Sequence, residues 1–302
     1  MISIKQLTYA LAVEKTLHFK KAAEASSVSQ SALSTALTEL EKQLGFQIFE
    51  RDNKKVLITP LGQRFLGKAQ NIILEVDELY QMGNISKAPL SYPMKIGVIP
   101  TIGPYLLPKV LPALNRQYPN LELTLVEEQS HVLVDMVKKG EIDTAILALP
   151  FACDGLLTFE FWQEDFYWVT DSDDPLGQQT QISSDDMQQR KLMLLKDGHC
   201  LKEHALSACQ LSHQSSAINF NATSLTTLIQ MVAGKMGTTL IPEMALDQLA
   251  NVDTPIKAVH LKEAGPHRRI SFITRPNYVD VRSVESLITL FKSELEQCRT
   301  GQ

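Results

Sequence analysis

The stretch that most constrains the fold is residues 19–45, FKKAAEASSVSQSALSTALTELEKQLG. Closely spaced alanines let its first part pack tightly as a short helix, two adjacent serines interrupt the helical pattern, and Ser29 can cap a second helix. The second helix is amphipathic and can end at Gly45. Two short helices joined by a tight turn are typical of the helix-turn-helix, whose second helix enters the major groove of DNA.

The segments on either side extend this motif. An amphipathic helix is predicted from Ile4 to a turn at residues 16–18. After Gly45, FQIFERDNKKVLITPLG alternates apolar and polar residues around a basic turn at residues 51–55, which predicts a two-stranded wing. A further helix starts after Pro60. Its apolar residues recur at coiled-coil spacing, which predicts a dimer arm: Phe65, Ala69, Ile72, Val76 and Leu79.

A helix-turn-helix pattern alone is also compatible with two packed helices that bind nothing. The wing and the dimer arm favour DNA binding, because a two-fold operator needs a symmetric dimer that presents two recognition helices. Charge agrees, since residues 1–87 carry a balance of +2 while the whole chain carries −5. We predict that base-reading residues of the second helix and phosphate-binding lysines and arginine face DNA: Lys20, Lys21, Ser29, Gln30, Ser31, Ser34, Thr35, Arg51, Lys54 and Lys55.

The sequence argues against a secreted protein, a membrane-spanning protein and a disulfide-stabilised scaffold. The first 19 residues carry Lys5, Glu14 and Lys15 within their apolar pattern, so they lack the core of a secretion signal and the length of a membrane span. A cytoplasmic location is therefore expected. Four cysteines in 302 residues are too few for a disulfide scaffold.

The pattern changes after a hinge rich in proline and serine at residues 86–93. Short apolar runs then alternate with helices, which predicts parallel strands with crossover helices in an α/β region of two lobes. The predicted strands are KIGVIP, LELTLV, DTAILAL, FYWVT, KLMLL, INF, TTLIP and RRISFIT. The predicted organisation is a DNA-binding domain at 1–59, a dimerisation helix at 60–85, the hinge, and a regulatory domain at 94–302, with lobe I at about 94–163 and 268–302 and lobe II at about 164–267.

Hydroxyl side chains stand where such a fold binds ligands, at the carboxyl ends of strands and the starts of helices. Thr101 follows KIGVIP, Ser130 follows LELTLV, and Thr223 precedes a predicted helix. They are candidates for contacts with a polar or anionic ligand. Each is also compatible with an ordinary helix N-cap.

Two cysteines, Cys200 and Cys209, lie in the predicted helix DGHCLKEHALSAC. Nine helical residues advance roughly 13.5 Å, whereas a disulfide needs Cα atoms about 4.4 to 6.8 Å apart. A bond between them therefore requires the helix to unwind. Cys200 would lie in the first turn, where the helix dipole, His199 and Lys202 favour a thiolate.

Two other interpretations of this segment stay open on the residues alone. Both cysteines could be small buried apolar side chains. A metal site is the other alternative, because three histidines lie nearby, although their spacing fits no common zinc pattern.

The order of winged helix-turn-helix, dimer helix and two-lobed region resembles the LysR-type transcriptional regulators over nearly the whole chain. The run FKKAAEASSVSQSALSTALTELEKQLGFQIFER is similar to their N-terminal signature, and LITPLG to the start of their linker helix. Within that family, VIPTIGPYLLP, DGHCLKEHALSAC and NATSLTTLIQMVAGKMGTTLIP resemble the OxyR peroxide sensors.

The resemblance implies a regulatory domain of the type 2 periplasmic-binding-protein fold and a redox role for the two cysteines. Cys200 would react with hydrogen peroxide and Cys209 would then close a disulfide. Thr101, Ser130 and His199 would help to hold the peroxide, and Arg269 matches a family arginine near the switch region.

Three positions depart from the family pattern. Ser130 replaces a threonine and loses the methyl group that fixes its rotamer. Lys202 replaces an arginine, which keeps the charge but loses the bidentate fork. Asn221 stands where a basic residue is often found. Cys153 and Cys298 match no part of the motif.

The resemblance also implies partners. They are a second copy in a dimer of dimers, a double-stranded DNA operator, RNA polymerase, and a thiol reductant such as glutaredoxin or glutathione. No cofactor, metal or membrane contact is expected, and no enzymatic turnover. Two rival functions remain: a regulator that binds a small organic anion through Thr101, Ser130 and Thr223, and a thiol peroxidase, which would have no use for a winged helix-turn-helix.

Overall fold

The computed structural model describes residues 1–52, 55–82, 89–187, 190–196, 198, 200–209, 224–250 and 254–300. The chain divides into two compact units, Met1–Ser86 and Lys87–Gln302. Among the described helices none has the length and apolar character needed to cross a membrane.

The first unit confirms the predicted winged helix-turn-helix. Its elements are α1 Ile4–Thr16, α2 Phe19–Ala25, α3 Gln30–Leu44, β1 Phe49–Asp52, β2 Lys55–Ile58 and α4 Pro60–Met82. Ser29 caps α3, since its Oγ accepts the N–H of Ala32 at 3.2 Å. Gly45 ends α3 in the left-handed conformation, with φ of 74°. These local signals explain why the sequence predicts both ends of α3 closely.

The core of this unit is apolar. Leu33, Leu37 and Leu40 on one face of α3 are fully buried, together with Ala10 of α1 and Ala22 of α2. The alanines allow α1, α2 and α3 to approach closely, which leaves the opposite face of α3 for solvent or a ligand.

The wing is a two-stranded antiparallel sheet in which Phe49 pairs with Ile58. Its first strand begins one residue after Ile48, so it is shorter than predicted. The reason is that Glu41 Oε1 accepts the amide N–H groups of both Ile48 and Phe49, at 2.8 and 3.1 Å. Gly62 lies against the carbonyl oxygen of Ile48, where a side chain would collide.

The predicted dimer arm forms the long helix α4, whose first part packs against α1. Ala69 is buried, whereas Ile72 and Leu79 are 46% and 67% exposed. A long helix with apolar residues left in solvent favours pairing with a second copy.

Lobe I of the second unit is built on a five-stranded sheet with the order β4-β3-β5-β11-β6. Its elements are β3 Met94–Val98, α5 Gly103–Gln117, β4 Leu123–Glu127, α6 Ser130–Lys138, β5 Thr144–Leu149, β6 Leu157–Glu164, β11 Arg268–Thr274 and α11 Val281–Thr300. Strand β3 is parallel to β4 and β5, and β11 is antiparallel to β5 and β6.

Lobe II is built on a four-stranded sheet with the order β8-β10-β7-β9. Its elements are β7 Phe166–Asp171, β8 Gln181–Ile182, α7 Ser184–Met187, α8 Cys200–Ala208, α9 Leu225–Ala233, β9 Thr239–Pro242, α10 Leu246–Leu249 and β10 Ile256–Leu261, with two short 3-10 helices at Pro175–Gln178 and Glu243–Ala245. The chain passes between the lobes from β6 to β7 at Asp165 and from β10 to β11 at residues 262–267.

The prediction of uniformly parallel strands was wrong. Strand β7 is antiparallel to β9 and β10, and β11 is antiparallel to both of its neighbours, because the chain crosses to lobe II and returns. Strands β6, β8 and β10 were not predicted. In KLMLL, Leu192 and Leu195 form isolated bridges rather than a strand, that of Leu192 with Thr238, and INF lies outside the described residues.

Candidate functional site

Two free cysteines lie at opposite ends of one helix. Cys200 is the first residue of the nine-residue helix α8, and Cys209 directly follows its last residue. Both are buried, with 5% and 2% of their surface exposed. The helical rise sets their Cα atoms roughly 13.5 Å apart, well beyond the range of about 4.4 to 6.8 Å that a disulfide requires.

The environment of Cys209 keeps its thiol protonated. Burial raises the pKa of the Cys209 thiol to about 12, and the nearby Glu263 carboxylate adds to the effect. Because the thiolate is the nucleophile, Cys209 in this conformation is inert at neutral pH. Cys209 also takes part in the hydrogen bonding of the last helical turn, since its N–H donates to the Ala205 carbonyl at 3.2 Å.

His204 anchors the middle of α8 to lobe I. Only 3% of the residue is exposed, and its Nε2–H donates to the carbonyl oxygen of Pro150, just beyond β5, at 3.0 Å. Burial lowers the pKa of His204 to about 4, with the Arg268 and Arg269 charges acting in the same direction, while the bond to Pro150 opposes the shift. The ring is therefore neutral at physiological pH.

Two of the predicted pocket hydroxyls are buried in lobe I. Thr101, 3% exposed, accepts a hydrogen bond on Oγ1 from Arg268 Nη2 at 2.7 Å, and its carbonyl accepts one from Nη1 at 3.1 Å. Thr101 is thus held by an arginine and is not a helix cap.

Ser130 has a different environment. It is the first residue of α6 and only 1% exposed, and its Oγ has no hydrogen-bond partner among the residues that the structure describes. The N-cap position belongs to Gln129. A buried hydroxyl without a partner carries an energetic cost unless something binds it.

Gly198, two residues before Cys200, lies close to the side chain of Gln129, the N-cap residue of α6. A Cβ at Gly198 would lie 2.6 Å from Gln129 Oε1, and its backbone has φ of 97°. Both the left-handed backbone and the close approach require glycine. The backbone just before α8 in lobe II therefore lies against the side chain of the α6 N-cap residue in lobe I.

The arginine that binds Thr101 also forms a buried ion pair with Glu164, which the sequence analysis did not predict. Arg268 and Glu164 are each 1% exposed, and Arg268 Nη1 lies 3.3 Å from Glu164 Oε1. The other carboxylate oxygen of Glu164 accepts the N–H of Met244 in lobe II at 2.9 Å. Burial raises the pKa of Glu164, and the Arg268 charge opposes the rise. The sequence did carry one indication of this ion pair, because two arginines open the largely apolar strand RRISFIT.

The arginine that contacts Thr101 is Arg268, the neighbour of the predicted site residue Arg269. Successive side chains of a strand point to opposite faces, so Arg268 points inward to Thr101 while Arg269 is exposed beside Glu160, with 3.5 Å between Nη1 and Oε2. Lys202 on α8 is half-buried. His199, Thr223 and Asn221 lie outside the described residues.

The alternative of a metal site finds no support in the part of the chain that the structure describes. No group of three histidine, cysteine or carboxylate side chains there could hold a metal ion. His199 and His213, which the alternative invoked, are not among those residues.

In the first unit, the predicted DNA-facing residues lie on its surface. Gln30, Ser31 and Thr35 of α3 are exposed and Ser34 is half-buried. Ser29 uses its hydroxyl as the α3 cap. Lys20 and Lys21 of α2 and Lys55 of β2 are also exposed. Lys54 and the side chain of Arg51 are outside the described part.

Comparison with known families matches most of the chain. Residues 4–63 match the bacterial regulatory helix-turn-helix protein, lysR family, and residues 87–296 match the LysR substrate binding domain. The relatives are transcription regulators rather than enzymes.

Individual relatives span almost the full length. The HTH-type transcriptional regulator EstR of Acinetobacter baylyi is 37% identical over 276 residues, covering 90% of each chain. The probable hydrogen peroxide-inducible genes activator of Streptomyces viridosporus is 34% identical and covers 97% of this chain and 94% of its own.

A solved structure agrees with the fold. Full-length OxyR from Pseudomonas aeruginosa, carrying a cysteine-to-aspartate substitution, superimposes with a TM-score of 0.80 at 31% identity, over 97% of this chain and 95% of that one. With both regions matched and the whole length shared, the chain belongs to the LysR family of bacterial transcriptional regulators, and its structure is of the OxyR kind.

Proposed function

We propose that this regulator senses hydrogen peroxide by reversible formation of a Cys200–Cys209 disulfide and thereby controls antioxidant genes. One observation carries the proposal: two free, buried cysteines lie at the two ends of a single helix. The name of the Streptomyces relative supports peroxide as the signal.

The chemistry needs two steps. The Cys200 thiolate attacks one oxygen of hydrogen peroxide, the O–O bond breaks, and the other oxygen leaves as hydroxide and becomes water after protonation. The resulting sulfenic acid is attacked by the sulfur of Cys209, which displaces a second water. Two thiols are oxidised by two electrons and one peroxide is reduced to two waters.

The site residues divide the work. Ser130 can donate to or accept from the peroxide, and Arg268 fixes the hydroxyl of Thr101 at the neighbouring edge of the sheet. Cys209 is protonated while buried, so it reacts only after α8 loosens and its pKa returns toward the ordinary value. The disulfide then holds the segment in a non-helical state, because α8 and the bond exclude each other.

The signal reaches DNA through the assembly. We infer a cytoplasmic dimer of dimers joined by α4, with the exposed face of α3 in the major groove of the operator and Lys20, Lys21 and Lys55 at phosphates. We also infer that the regulator contacts RNA polymerase and that glutaredoxin or glutathione reduces the Cys200–Cys209 disulfide.

The test is a thiol count on the purified full-length protein before and after one equivalent of hydrogen peroxide. We expect two of the four thiols to be lost and peptide mapping to give a Cys200–Cys209 bridge. Cys153→Ser is the matched control, because it removes a half-buried thiol outside α8 and should leave the bridge intact. Four surviving thiols, or a bridge to Cys153 or Cys298, would contradict the proposal.

A second candidate is a LysR-family regulator whose lobes bind a small organic anion. The 37% identity to EstR, whose name does not mention peroxide, exceeds the 34% identity to the peroxide-related relative. Unchanged thiols combined with DNA footprints that shift on adding organic anions would support this candidate. Continuous peroxide consumption in the presence of a reductant would instead indicate a thiol peroxidase.

A further inference from the structure

His204 lies midway along α8, between the two cysteines, on the side of the helix that packs against the rest of the regulatory unit. Leu201 and Ala205, on the same helix, are buried with it. An imidazole is costly to bury without partners. This one has a single described partner, the Pro150 carbonyl, which belongs to lobe I.

We propose that His204 is a positioning residue that fastens the helix between the cysteines to lobe I, and that its release on disulfide formation makes oxidation of the regulator take up a proton. The inference rests on the proposed disulfide between Cys200 and Cys209. It concerns how readily that bond forms and how its formation depends on pH.

The tether must break for geometric reasons. Cys200 and Cys209 approach to bonding range only if residues 201–208 leave the helical conformation. His204 is in the middle of that segment, and its ring is held from outside it, by a carbonyl 54 residues away in sequence at 3.0 Å. A ring that stayed on Pro150 would hold the middle of the segment against lobe I and oppose its rearrangement. Release of His204 and closure of the disulfide are therefore linked.

The surroundings of the ring decide its charge in the reduced state. Arg268 and Arg269 on β11 both disfavour an imidazolium. Glu263 and His267 line a cleft together with His204, and His267 is itself bound on both sides, to the N–H of Phe166 through Nδ1 and to the Glu263 carbonyl through Nε2. On α8 itself, Lys202 and Glu203 flank the position. Burial is the largest influence and keeps the ring neutral.

The sign of the pH effect follows. The buried ring has a depressed pKa of about 4, whereas a solvated histidine titrates near 6.5. Below pH 6.5 the released ring takes a proton from solution, so falling pH stabilises the oxidised form relative to the reduced form, down to about pH 4. In exchange with glutathione disulfide, two protein thiols become a disulfide, one glutathione disulfide becomes two glutathiones, and one proton is consumed.

The experiment compares wild type with His204→Gln in the full-length protein. Glutamine keeps an amide that can donate to Pro150 but does not titrate. Both proteins are equilibrated with glutathione buffers and catalytic glutaredoxin from pH 5.5 to 7.5, and the disulfide fraction is measured. We expect the oxidation constant of wild type, divided by that of His204→Gln, to be about tenfold larger at pH 5.5 than at pH 7.5, equivalent to about 30 mV. His204→Asn is the second non-titrating variant.

Kinetics test the tether separately. His204→Leu removes the donor, so disulfide closure after peroxide should be about two- to tenfold faster than in wild type, as expected for loss of one net hydrogen bond. In a Cys209→Ser background, sulfenic acid formation at Cys200 should be the same with His204 and with Leu at this position. A residue that merely filled space would change neither the pH profile nor closure selectively.

The outcomes separate the two proposals. If wild type forms no Cys200–Cys209 disulfide, the proposed function fails. If wild type forms the bond but the ratio of the two oxidation constants is constant across pH, the inference about His204 is wrong while the sensor stands.

Discussion

The two units of this regulator differ in what they bury. In the described part of the first unit, the buried residues are apolar apart from Gln6, which completes the capping box at the start of α1. The second unit buries two arginines, a glutamate, an aspartate, a histidine, two serines with unpartnered hydroxyls, and two thiols. Buried polar groups depend on specific partners that a chemical event can remove, whereas an apolar core has no such partners to lose. The DNA-binding unit is thus built to persist and the regulatory unit to change.

The largest effect should come from the reactive sulfur. Cys200→Ser should abolish the change in DNA footprint on adding hydrogen peroxide, because no sulfenic acid can form, and should leave reduced-form DNA binding intact since the first unit is untouched. Footprinting before and after peroxide measures both. A footprint that still changes would assign the response to another group; Cys298→Ser, at an exposed thiol, is the control.

The buried ion pair gives the next largest effect. Arg268→Met should lower the unfolding free energy of the regulatory unit by about 3–5 kcal/mol, because Glu164 is left without its partner. The loss should shrink from pH 7.5 to pH 5, since burial raises the pKa of Glu164 and protonation removes the unpaired charge. Urea unfolding followed by tryptophan fluorescence isolates this unit, because both tryptophans of the chain, Trp162 and Trp168, lie in it.

Arg269→Met is the matched control for that measurement. Arg269 is exposed, with its side chain 3.5 Å from Glu160, so its loss should change stability by less than about 0.5 kcal/mol. If the two substitutions lowered the unfolding free energy equally, the buried ion pair would be no more important for stability than a surface one.

Shortening a core side chain in the first unit tests whether the two units unfold independently. Leu37→Ala should destabilise the winged helix-turn-helix by about 2–4 kcal/mol through the cavity it leaves, without shifting the tryptophan transition or the thiol count after peroxide. Circular dichroism and DNA affinity report the loss, and Glu39→Ala on the exposed face is the control. A shifted tryptophan signal would mean that the units do not unfold separately.

The smallest effect concerns one surface charge. Lys55→Ala should weaken operator binding modestly and lower the magnitude of the slope of log affinity against log salt by about 1, because one phosphate contact is lost. Lys42→Ala, near the C-terminal end of α3, should leave the slope unchanged. Identical slopes for wild type and Lys55→Ala would place the wing away from the backbone of the operator.

Prediction from sequence succeeded where structure is specified locally. Ser29, Gly45 and Pro60 act within a few residues of themselves, and the helices they delimit appear where expected. The strands β6 and β10 were missed because their register depends on β11 and β7, far along the chain. The same limit applies to the site: Cys200 and Cys209 are visible in one segment, but the pairing of Arg268 with Thr101 spans 167 residues. Which of the two adjacent arginines, Arg268 or Arg269, faces Thr101 depends on the strand's orientation in the sheet, which the sequence alone does not give.

The carboxylate of Glu41 has a consequence for how an operator is recognised. By accepting the N–H groups of Ile48, the residue before the wing, and of Phe49, its first residue, it connects α3 directly to the β-hairpin. The distance between the base-reading residues of α3 and the phosphate-binding residues of the wing is then restrained. A half-site of unusual helical geometry would have to be accommodated by bending the DNA or by tilting the whole DNA-binding domain. Sequence preference should therefore extend to base pairs that no side chain touches.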